Sequence, residues 1–375
     1  MRFEEELAFL ENHGDIVRLK TAAGGEVVVS PQYQGRVMTS AVSPGADSLG
    51  WINRKFIEAG EIATSFDNYG GEDRFWLGPE GGQFSIFFSS GQPFIFDAWR
   101  VPSTLQEGAW DILEQGESTV LLGRKVEFSN YSNSQFTLEV RRRISLLGAT
   151  QLETLYNVQS SPDLDWIAFE SDNTITNVGA QPWRQATGLL SIWILGMFMP
   201  RADTQVIIPY ETKGIGPIVN DRYFGVVPSE RLKVAEAQSV LLFKCDGQYR
   251  SKIGLSPTRA KSVAGSYSES ARLLTVVHFD RGSSDARYVN SLWEHQSDPF
   301  NGDIINSFND GPVQPGQPSQ GGFYELETSS PAGALEPGEK LRHRHRTFHF
   351  VGDQEALNSV ALASLGVSLD TLSKI

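Results

Sequence analysis

The strongest constraint on the fold is an alternation of apolar and polar residues that recurs along most of the chain. Across residues 135–148, apolar residues such as Phe136, Leu138 and Val140 alternate with polar ones. Successive side chains of a β-strand point to opposite faces of its sheet, so this pattern predicts a long strand with one face in water, which is typical of antiparallel sheets. Similar patterns predict strands at residues 26–30, 36–42, 84–89, 118–128, 151–159, 166–176, 205–210, 237–245, 272–279, 323–328 and 341–351.

Helical patterns are confined to the two ends of the chain. Residues 1–10 form a short amphipathic pattern, and in residues 353–372 Asp353 stands where it would cap a helix. A parallel sheet needs a crossover between successive strands, usually a helix, and no such helices are predicted. We therefore expect an all-β fold, a large antiparallel sandwich formed by residues 1–375 as a single domain, with short N-terminal and C-terminal helices.

Charge and apolar content exclude several classes of protein. The formal net charge of −13 opposes binding to nucleic acids and to anionic membranes, because both interactions rely on Lys and Arg. The chain has no run of about 18 apolar residues, so no transmembrane helix is expected. The first ten residues lack the basic start and long apolar core of a signal peptide. We expect a cytoplasmic protein, or a periplasmic or secreted one if a leader is missing.

Residues 297–322 interrupt the strand pattern. The segment is polar, rich in Pro, Gly and Asn, and longer than the roughly 12–15 residues beyond which loops without secondary structure are uncommon. Such loops are usually functional lids or flexible excursions. We therefore expect a long loop at residues 297–322. If this loop is a functional lid, it would cover a binding cleft.

Several motifs occur in an order that resembles one known superfamily. They are NYGGEDRFWLGPE at residues 68–80, WILGMF at 193–198, YRSKIGLSP at 249–257, and FYELETSSP and LEPGEKLRHRHRTFHF within 323–350. From about residue 35 to 350 the chain is similar to the aldose 1-epimerase-like, or galactose mutarotase-like, superfamily. The resemblance implies a supersandwich of two large twisted antiparallel sheets, with a sugar-binding cleft on the concave face of one of them.

The resemblance also implies roles for individual residues. Glu325 matches the late glutamate that accepts the proton of the anomeric hydroxyl, and Arg74 matches an early residue that holds the sugar. Glu327 is expected on the same face of the same strand, where it would orient the sugar. Glu72 and Trp76, on either side of Arg74, are further candidates for substrate binding.

The proton donor cannot be assigned from the superfamily pattern. Mutarotases use a histidine to protonate the ring oxygen, but this chain has no histidine between His13 and His278. We expect His345 or His278 to take this role, since imidazole titrates close to neutral pH.

A strand at residues 341–350 would place three histidines on one face, namely His343, His345 and His349. Alternate histidines on a strand allow His343 and His345 to bind one divalent metal, with Glu325 or Glu327 from a paired strand completing the site. The alternatives are a contribution to a sugar site and a structural strand whose histidines are hydrogen-bonded. The chemistry implied by the superfamily requires no cofactor, so the metal stays an open alternative.

Other polar residues are candidates for holding a substrate. Arg222, Arg250 and Lys252 offer cations that could bind a sugar carboxylate or a developing oxyanion. Glu294 and the adjacent His295 would together form an acid–base pair at the entrance to the long loop.

Together these patterns favour a carbohydrate-active enzyme of the aldose-epimerase-like class that acts on a mono- or oligosaccharide. The alternatives are a polysaccharide lyase or glycoside hydrolase on the same sandwich, and a sugar-binding module without turnover. An enzyme requires an acid and a base in one cleft, whereas a binding module requires only an aromatic platform. The sequence leaves the sugar and the oligomeric state open.

Overall fold

Strands dominate the secondary structure. The structure is a computed structural model that describes residues 1–60, 68–159, 163–314 and 316–372. Its strands are β1 (Val17–Lys20), β2 (Glu26–Ser30), β3 (Arg36–Ala41), β4 (Arg74–Gly78), β5 (Asp111–Gln115), β6 (Thr119–Ser129), β7 (Gln135–Leu146), β8 (Leu164–Asn177), β9 (Ser191–Phe198), β10 (Gln205–Pro209), β11 (Leu232–Ala235), β12 (Val240–Lys244), β13 (Ser251–Leu255), β14 (Val263–Ser268), β15 (Leu273–Phe279), β16 (Ile305–Asn309), β17 (Tyr324–Ser329) and β18 (Lys340–Gly352). Its helices are α1 (Phe3–His13), α2 (Arg54–Ala59), α3 (Ser103–Gln106), α4 (Ala149–Tyr156), α5 (Gln354–Leu365) and α6 (Leu369–Leu372).

The strands form three sheets within the described residues. Ten of them form the largest sheet, in the order β11-β12-β10-β14-β15-β18-β8-β7-β6-β5, and five form a second sheet, in the order β13-β16-β17-β9-β4. The third sheet contains β1, β2 and β3. Neighbouring strands pair in antiparallel fashion in each sheet. The prediction of an all-β antiparallel fold with short terminal helices is therefore confirmed.

The two larger sheets bury their facing sides against each other. One part of the core joins Phe75 of β4 to Phe169 of β8, and another joins Leu326 of β17 to Val206 of β10. Helices α4, α5 and α6 cover the other side of the ten-stranded sheet. No helix in the described residues is both long and apolar enough to cross a membrane. The other face of the five-stranded sheet lines a cleft.

A buried ion pair links the two large sheets. Arg142 of β7 and Asp73, which immediately precedes β4, both have fully buried side chains, and their charged groups lie 2.5 Å apart. Arg142 also donates hydrogen bonds to the carbonyl oxygens of Gly35 and Asp73 and to Oδ1 of Asn173. These partners compensate a charge whose burial would otherwise be costly. The pair thereby fixes the start of β4 against the ten-stranded sheet.

Two of the predicted strands are wrong. Most of residues 151–159 belong to helix α4, in which Leu152 and Tyr156 are buried four residues apart, as the helical repeat requires. Residues 84–89 form bends rather than a strand, and Ile86, Phe87 and Phe88 are all buried although they are consecutive. Short apolar runs of this kind do not distinguish a strand from other buried segments.

The long loop expected at residues 297–322 is interrupted by a strand. β16 pairs with β13 on one side and with β17 on the other. The sequence did not predict β16 because the strand is rich in polar residues. Asn306, Ser307 and Asn309 all donate side-chain hydrogen bonds to backbone carbonyl oxygens of neighbouring segments. Buried polar side chains with such partners are compatible with an inner strand. Pro312 and Val313, after β16, still border the cleft.

We expect Arg142→Met to destabilise the protein by about 3–5 kcal/mol, because Asp73 would keep a buried charge without its partner. The control variant Arg342→Met removes an ion pair with Asp172 in which the arginine side chain is 56% exposed. It should lower the free energy of unfolding by about 1 kcal/mol or less. Urea unfolding followed by circular dichroism measures both losses. Equal losses in the two variants would contradict the importance assigned to the buried pair.

Candidate functional site

The cleft lies on the face of the five-stranded sheet that points away from the core, and it encloses about 860 Å³. Residues that are direct neighbours on paired strands point to the same side of a sheet. Two such rows cross the sheet beneath the cleft, the first formed by Lys252, Phe308, Glu325 and Met197, and the second by Asn306, Glu327, Leu195 and Arg74. Strand pairing therefore brings together residues that are distant in the sequence.

Two carboxyl groups from β17 form the polar centre of this surface. Glu325 lines the cleft and is 6% exposed, whereas Glu327 is completely buried below it. Oε1 of Glu325 lies 3.7 Å from Nη2 of Arg74. Oε2 of Glu327 accepts hydrogen bonds from Nζ of Lys252 at 2.8 Å and from Nε1 of Trp193 at 3.1 Å. Glu325 is thus paired with Arg74, and Glu327 is paired with Lys252.

Burial shifts the ionisation of this group of residues. It raises the pKa of Glu325 to about 8, and the neighbouring charge of Glu327 adds to this effect, while Arg74 and Lys252 oppose it. Burial lowers the pKa of Arg74 to about 10, although Glu325 and Glu327 partly offset the loss. For Lys252, burial lowers the pKa, but the surrounding glutamates outweigh it and the net shift is upward. At neutral pH the carboxyl of Glu325 is therefore mainly protonated and Lys252 is charged.

A third carboxyl group, that of Glu80, lines the same cleft. Burial raises its pKa and Lys252 partly offsets this shift, while the indole of Trp293 donates a hydrogen bond to it. Among the described residues that line the cleft, Glu80 and Glu325 are the ones with carboxyl side chains. Glu80 ends the motif at residues 68–80, but neither that motif nor the resemblance it carries predicts a role for this residue.

Tyr223 is a second residue whose position the sequence did not predict. Its hydroxyl donates a hydrogen bond to Oδ2 of Asp303 at 2.5 Å and accepts one from Nδ2 of Asn306 at 3.0 Å. Burial, followed by the charge of Asp303, raises the pKa of Tyr223 well above its usual range. The tyrosine therefore stays protonated and forms a fixed part of the cleft wall beside Lys252.

Aromatic side chains form much of the remaining cleft surface. The rings that line it are Trp76, Phe96, Trp99, Trp193, Tyr223, Phe224, Tyr249, Trp293, Phe308 and Phe323. The guanidinium of Arg74 lies 4.2 Å from the centre of the Trp76 ring. Flat apolar surfaces beside fixed polar groups are typical of sites that bind small polar molecules.

The histidines of β18 lie on the other side of the five-stranded sheet. His343 and His345 both form hydrogen bonds with the hydroxyl of Thr328, at 2.9 Å, within the core between the sheets. Because side chains alternate along β17, Thr328 faces the core while Glu325 and Glu327 face the cleft. The expectation that these glutamates and histidines would meet, at a metal or at the sugar, is therefore wrong. Burial lowers the pKa of His343 to about 3 and that of His345 to about 4.

His278 lies still further from the cleft. It is on β15, and its Nδ1 atom is 3.0 Å from Nη1 of Arg346 of β18. Burial, and then the charge of Arg346, lower the pKa of His278 to about 4. Neither of the histidines expected as the proton donor, His278 or His345, lines the cleft.

Three expected substrate-binding residues are also outside the cleft. Glu72 is completely buried and accepts hydrogen bonds from the hydroxyl of Ser40, while its Oε2 lies 3.0 Å from Nε2 of His349. Arg222 and Glu294 are exposed and do not line the cleft. In contrast, Arg74, Trp76, Lys252, Glu325 and Glu327 lie together as expected. Among the described residues, no group of three or more His, Cys, Asp or Glu side chains is arranged to hold a metal ion.

Comparison with known proteins places the chain in a family. Residues 1–375 match the family described as "Family of unknown function (DUF6786)". The chain belongs to this family. No curated protein sequence matches it at a significant level.

Solved structures show the same fold. A candidate aldose 1-epimerase from Escherichia coli K12 is 13% identical with a TM-score of 0.52, and the match covers 90% of this chain and 99% of that one. A galactose mutarotase-like protein from Lactobacillus casei is 11% identical with a TM-score of 0.52, and the match covers 89% of this chain and 100% of that one. The DUF6786 chain thus has the galactose mutarotase-like supersandwich fold that its motifs imply.

The raised pKa of Glu325 should make the stability of this DUF6786 protein depend on pH. An unfolded glutamate releases its proton near pH 4.5, whereas the folded protein retains it up to about pH 8. Between these values the native state binds one proton more than the unfolded state, so the stabilisation from this group is lost as the pH rises. We expect urea unfolding between pH 5 and 8.5 to show this decline.

The variant Glu325→Gln tests the origin of the decline. Glutamine does not titrate, so the free energy of unfolding of this variant should vary less with pH between pH 5 and 8.5 than that of the wild type. Glu230→Gln, at an exposed glutamate, should keep the dependence of the wild type. An equal slope in Glu325→Gln and the wild type would show that other groups titrate here.

Proposed function

We propose that this protein binds a carbohydrate in the cleft and catalyses proton transfer at its anomeric centre, as an isomerase of the aldose-epimerase-like class. The observation that carries the proposal is the environment of Glu325. Its carboxyl group lines an aromatic cleft, holds a proton at neutral pH, and lies beside a cation and a second carboxyl group. Perturbed ionisation in a cleft is typical of catalytic groups.

The wall of the cleft suits a pyranose ring. Such a ring has apolar faces that can stack on aromatic side chains, and hydroxyl groups around its edge that need hydrogen-bond partners. Trp76 and Trp193 supply aromatic surface, and Arg74 and Lys252 supply donors for the hydroxyls. Because Lys252 is held by Glu327, its position is fixed before a ligand arrives. Preorganised donors cost less free energy to engage than mobile ones.

The ionisation of the two cleft-lining carboxyl groups suggests their roles. The group that keeps its proton at the higher pH is suited to be the acid. We assign this role to Glu325, in place of the proton-accepting role expected from the sequence. Glu80, the other carboxyl group that lines the cleft, is then left as the base; burial raises its pKa, and Lys252 and the hydrogen bond from Trp293 oppose that shift.

In the proposed reaction, Glu80 takes the proton of the anomeric hydroxyl and a carbonyl forms at C1. The bond between C1 and the ring oxygen breaks, and its electron pair stays on the ring oxygen, which receives the proton of Glu325. Rotation of the carbonyl group and closure by the reverse steps give the other anomer and restore both carboxyl groups. Arg74 would stabilise the Glu325 carboxylate after it has given up its proton.

We expect the wild-type protein to accelerate anomer interconversion for at least one aldose, measured by polarimetry on freshly dissolved α-anomers of D-galactose, D-glucose, D-mannose and D-xylose. Glu325→Gln should lower kcat/KM by roughly 10²–10⁴-fold, the usual contribution of a general acid. The matched control Glu230→Gln should retain the wild-type rate. Sugar binding without acceleration would make the protein a sugar-binding module instead.

The pH profile separates the two assigned roles. With Glu325 as the acid, kcat/KM should fall as the pH rises through about 8, because the proton is lost there. Glu80→Gln should remove the decline on the acidic side of the profile and leave the alkaline one. A rate that instead increases through pH 8 would assign Glu325 the role of base.

A further inference from the structure

The cleft is larger than a single sugar ring requires. Its volume of about 860 Å³ lies near the upper end of the range of about 300–1,000 Å³ that drug-sized ligands occupy. A monosaccharide is considerably smaller than such ligands and would leave much of the aromatic surface in water. The unfilled part of the cleft therefore indicates a longer ligand.

The end of the cleft near Glu80 has a continuous aromatic wall. Trp293, which is hydrogen-bonded to Glu80, is roughly parallel to Trp99, with ring centres 6.2 Å apart and planes 22° apart. Phe96 continues the row, 6.2 Å from Trp99 and at 14° to it. If Glu80 removes the anomeric proton, the reducing-end ring must lie against this wall.

A second aromatic surface is formed by Phe224 and by Phe308 of β16, whose ring centres lie 5.8 Å apart. The guanidinium of Arg250 lies 4.4 Å from the centre of the Phe224 ring and 5.8 Å from that of Phe308. Phe224 is 48% exposed and Tyr249 is 42% exposed, although both line the cleft. Large aromatic side chains that are exposed at the edge of a cleft mark a binding surface.

We propose that the cleft binds an oligosaccharide, with its reducing-end ring between Glu80 and Glu325 and its further rings on the surface formed by Phe224 and Tyr249. This assignment rests on the proposed function, which orients the anomeric hydroxyl towards Glu80. The rest of the sugar then extends across Phe308 and towards Phe224. The cation–π contact with Arg250 holds the Phe224 ring in place for stacking.

Isothermal titration calorimetry with defined sugars tests the proposal. The probes are 1,4-linked series of glucose, galactose and galacturonic acid, each from the monosaccharide to the tetrasaccharide. We expect the dissociation constant for at least one series to fall about tenfold or more from the monosaccharide to the trisaccharide, which corresponds to about 1.4 kcal/mol. Equal affinities for all lengths in every series would overturn the proposal.

Two matched variants locate the additional contacts. Phe224→Ala should abolish most of the gain in affinity with length, whereas its effect on the monosaccharide should be small. Phe96→Ala, at a similarly exposed phenylalanine of the reducing-end wall, should leave the ratio of trisaccharide to monosaccharide affinity unchanged. An unchanged ratio in Phe224→Ala would overturn the assigned surface.

The outcomes also distinguish a failure of the oligosaccharide assignment from a failure of the proposed function. If monosaccharides bind and interconvert but length has no effect, only the oligosaccharide assignment fails. If none of these carbohydrates binds, both the assignment and the proposed function fail.

Discussion

The two faces of the five-stranded sheet have opposite surroundings, and the position of every cleft residue on its strands follows from this difference. One face must bury Phe75 and Leu326 against the ten-stranded sheet, so the side chains that alternate with them are forced to the other face. Those side chains include Arg74, Glu325 and Glu327. A shift of one residue in the register of β17 would place both glutamates in the core and Leu326 in the cleft.

The arrangement of side chains on this sheet also explains how Glu325 and Glu327 can be buried. Glu327 is fully buried, but Lys252 and Trp193 both donate hydrogen bonds to it. Glu325 lies 3.7 Å from Arg74 and is also hydrogen-bonded to the side chain of Glu327, and it avoids the cost of a buried charge by holding its proton. The two glutamates therefore have different partners although they lie two residues apart on one strand.

The polar residues behind the sheet have a different role. Arg142 and Asp73, with the histidines of β18, fill the space between the sheets with hydrogen bonds whose geometry permits few alternative packings. Asp73 and Arg74 are adjacent in the sequence, yet they face opposite sides of the sheet. One fixes the start of β4, and the other contributes to the cleft.

The sequence predicted the all-β class, the long strands β7, β8 and β18, and the alternation that puts Glu325 and Glu327 on one face, because these follow from a local period of two residues. It also brought Arg74 into consideration through motif resemblance, and Trp76 and Lys252 through the chemistry of their side chains. It missed β16, whose polar side chains are hydrogen-bonded to segments distant in the sequence, and it misplaced Glu72 and the histidines. Which face of each strand lines the cleft could not be predicted from the sequence, because it depends on which sheet each strand joins and on what packs against that sheet.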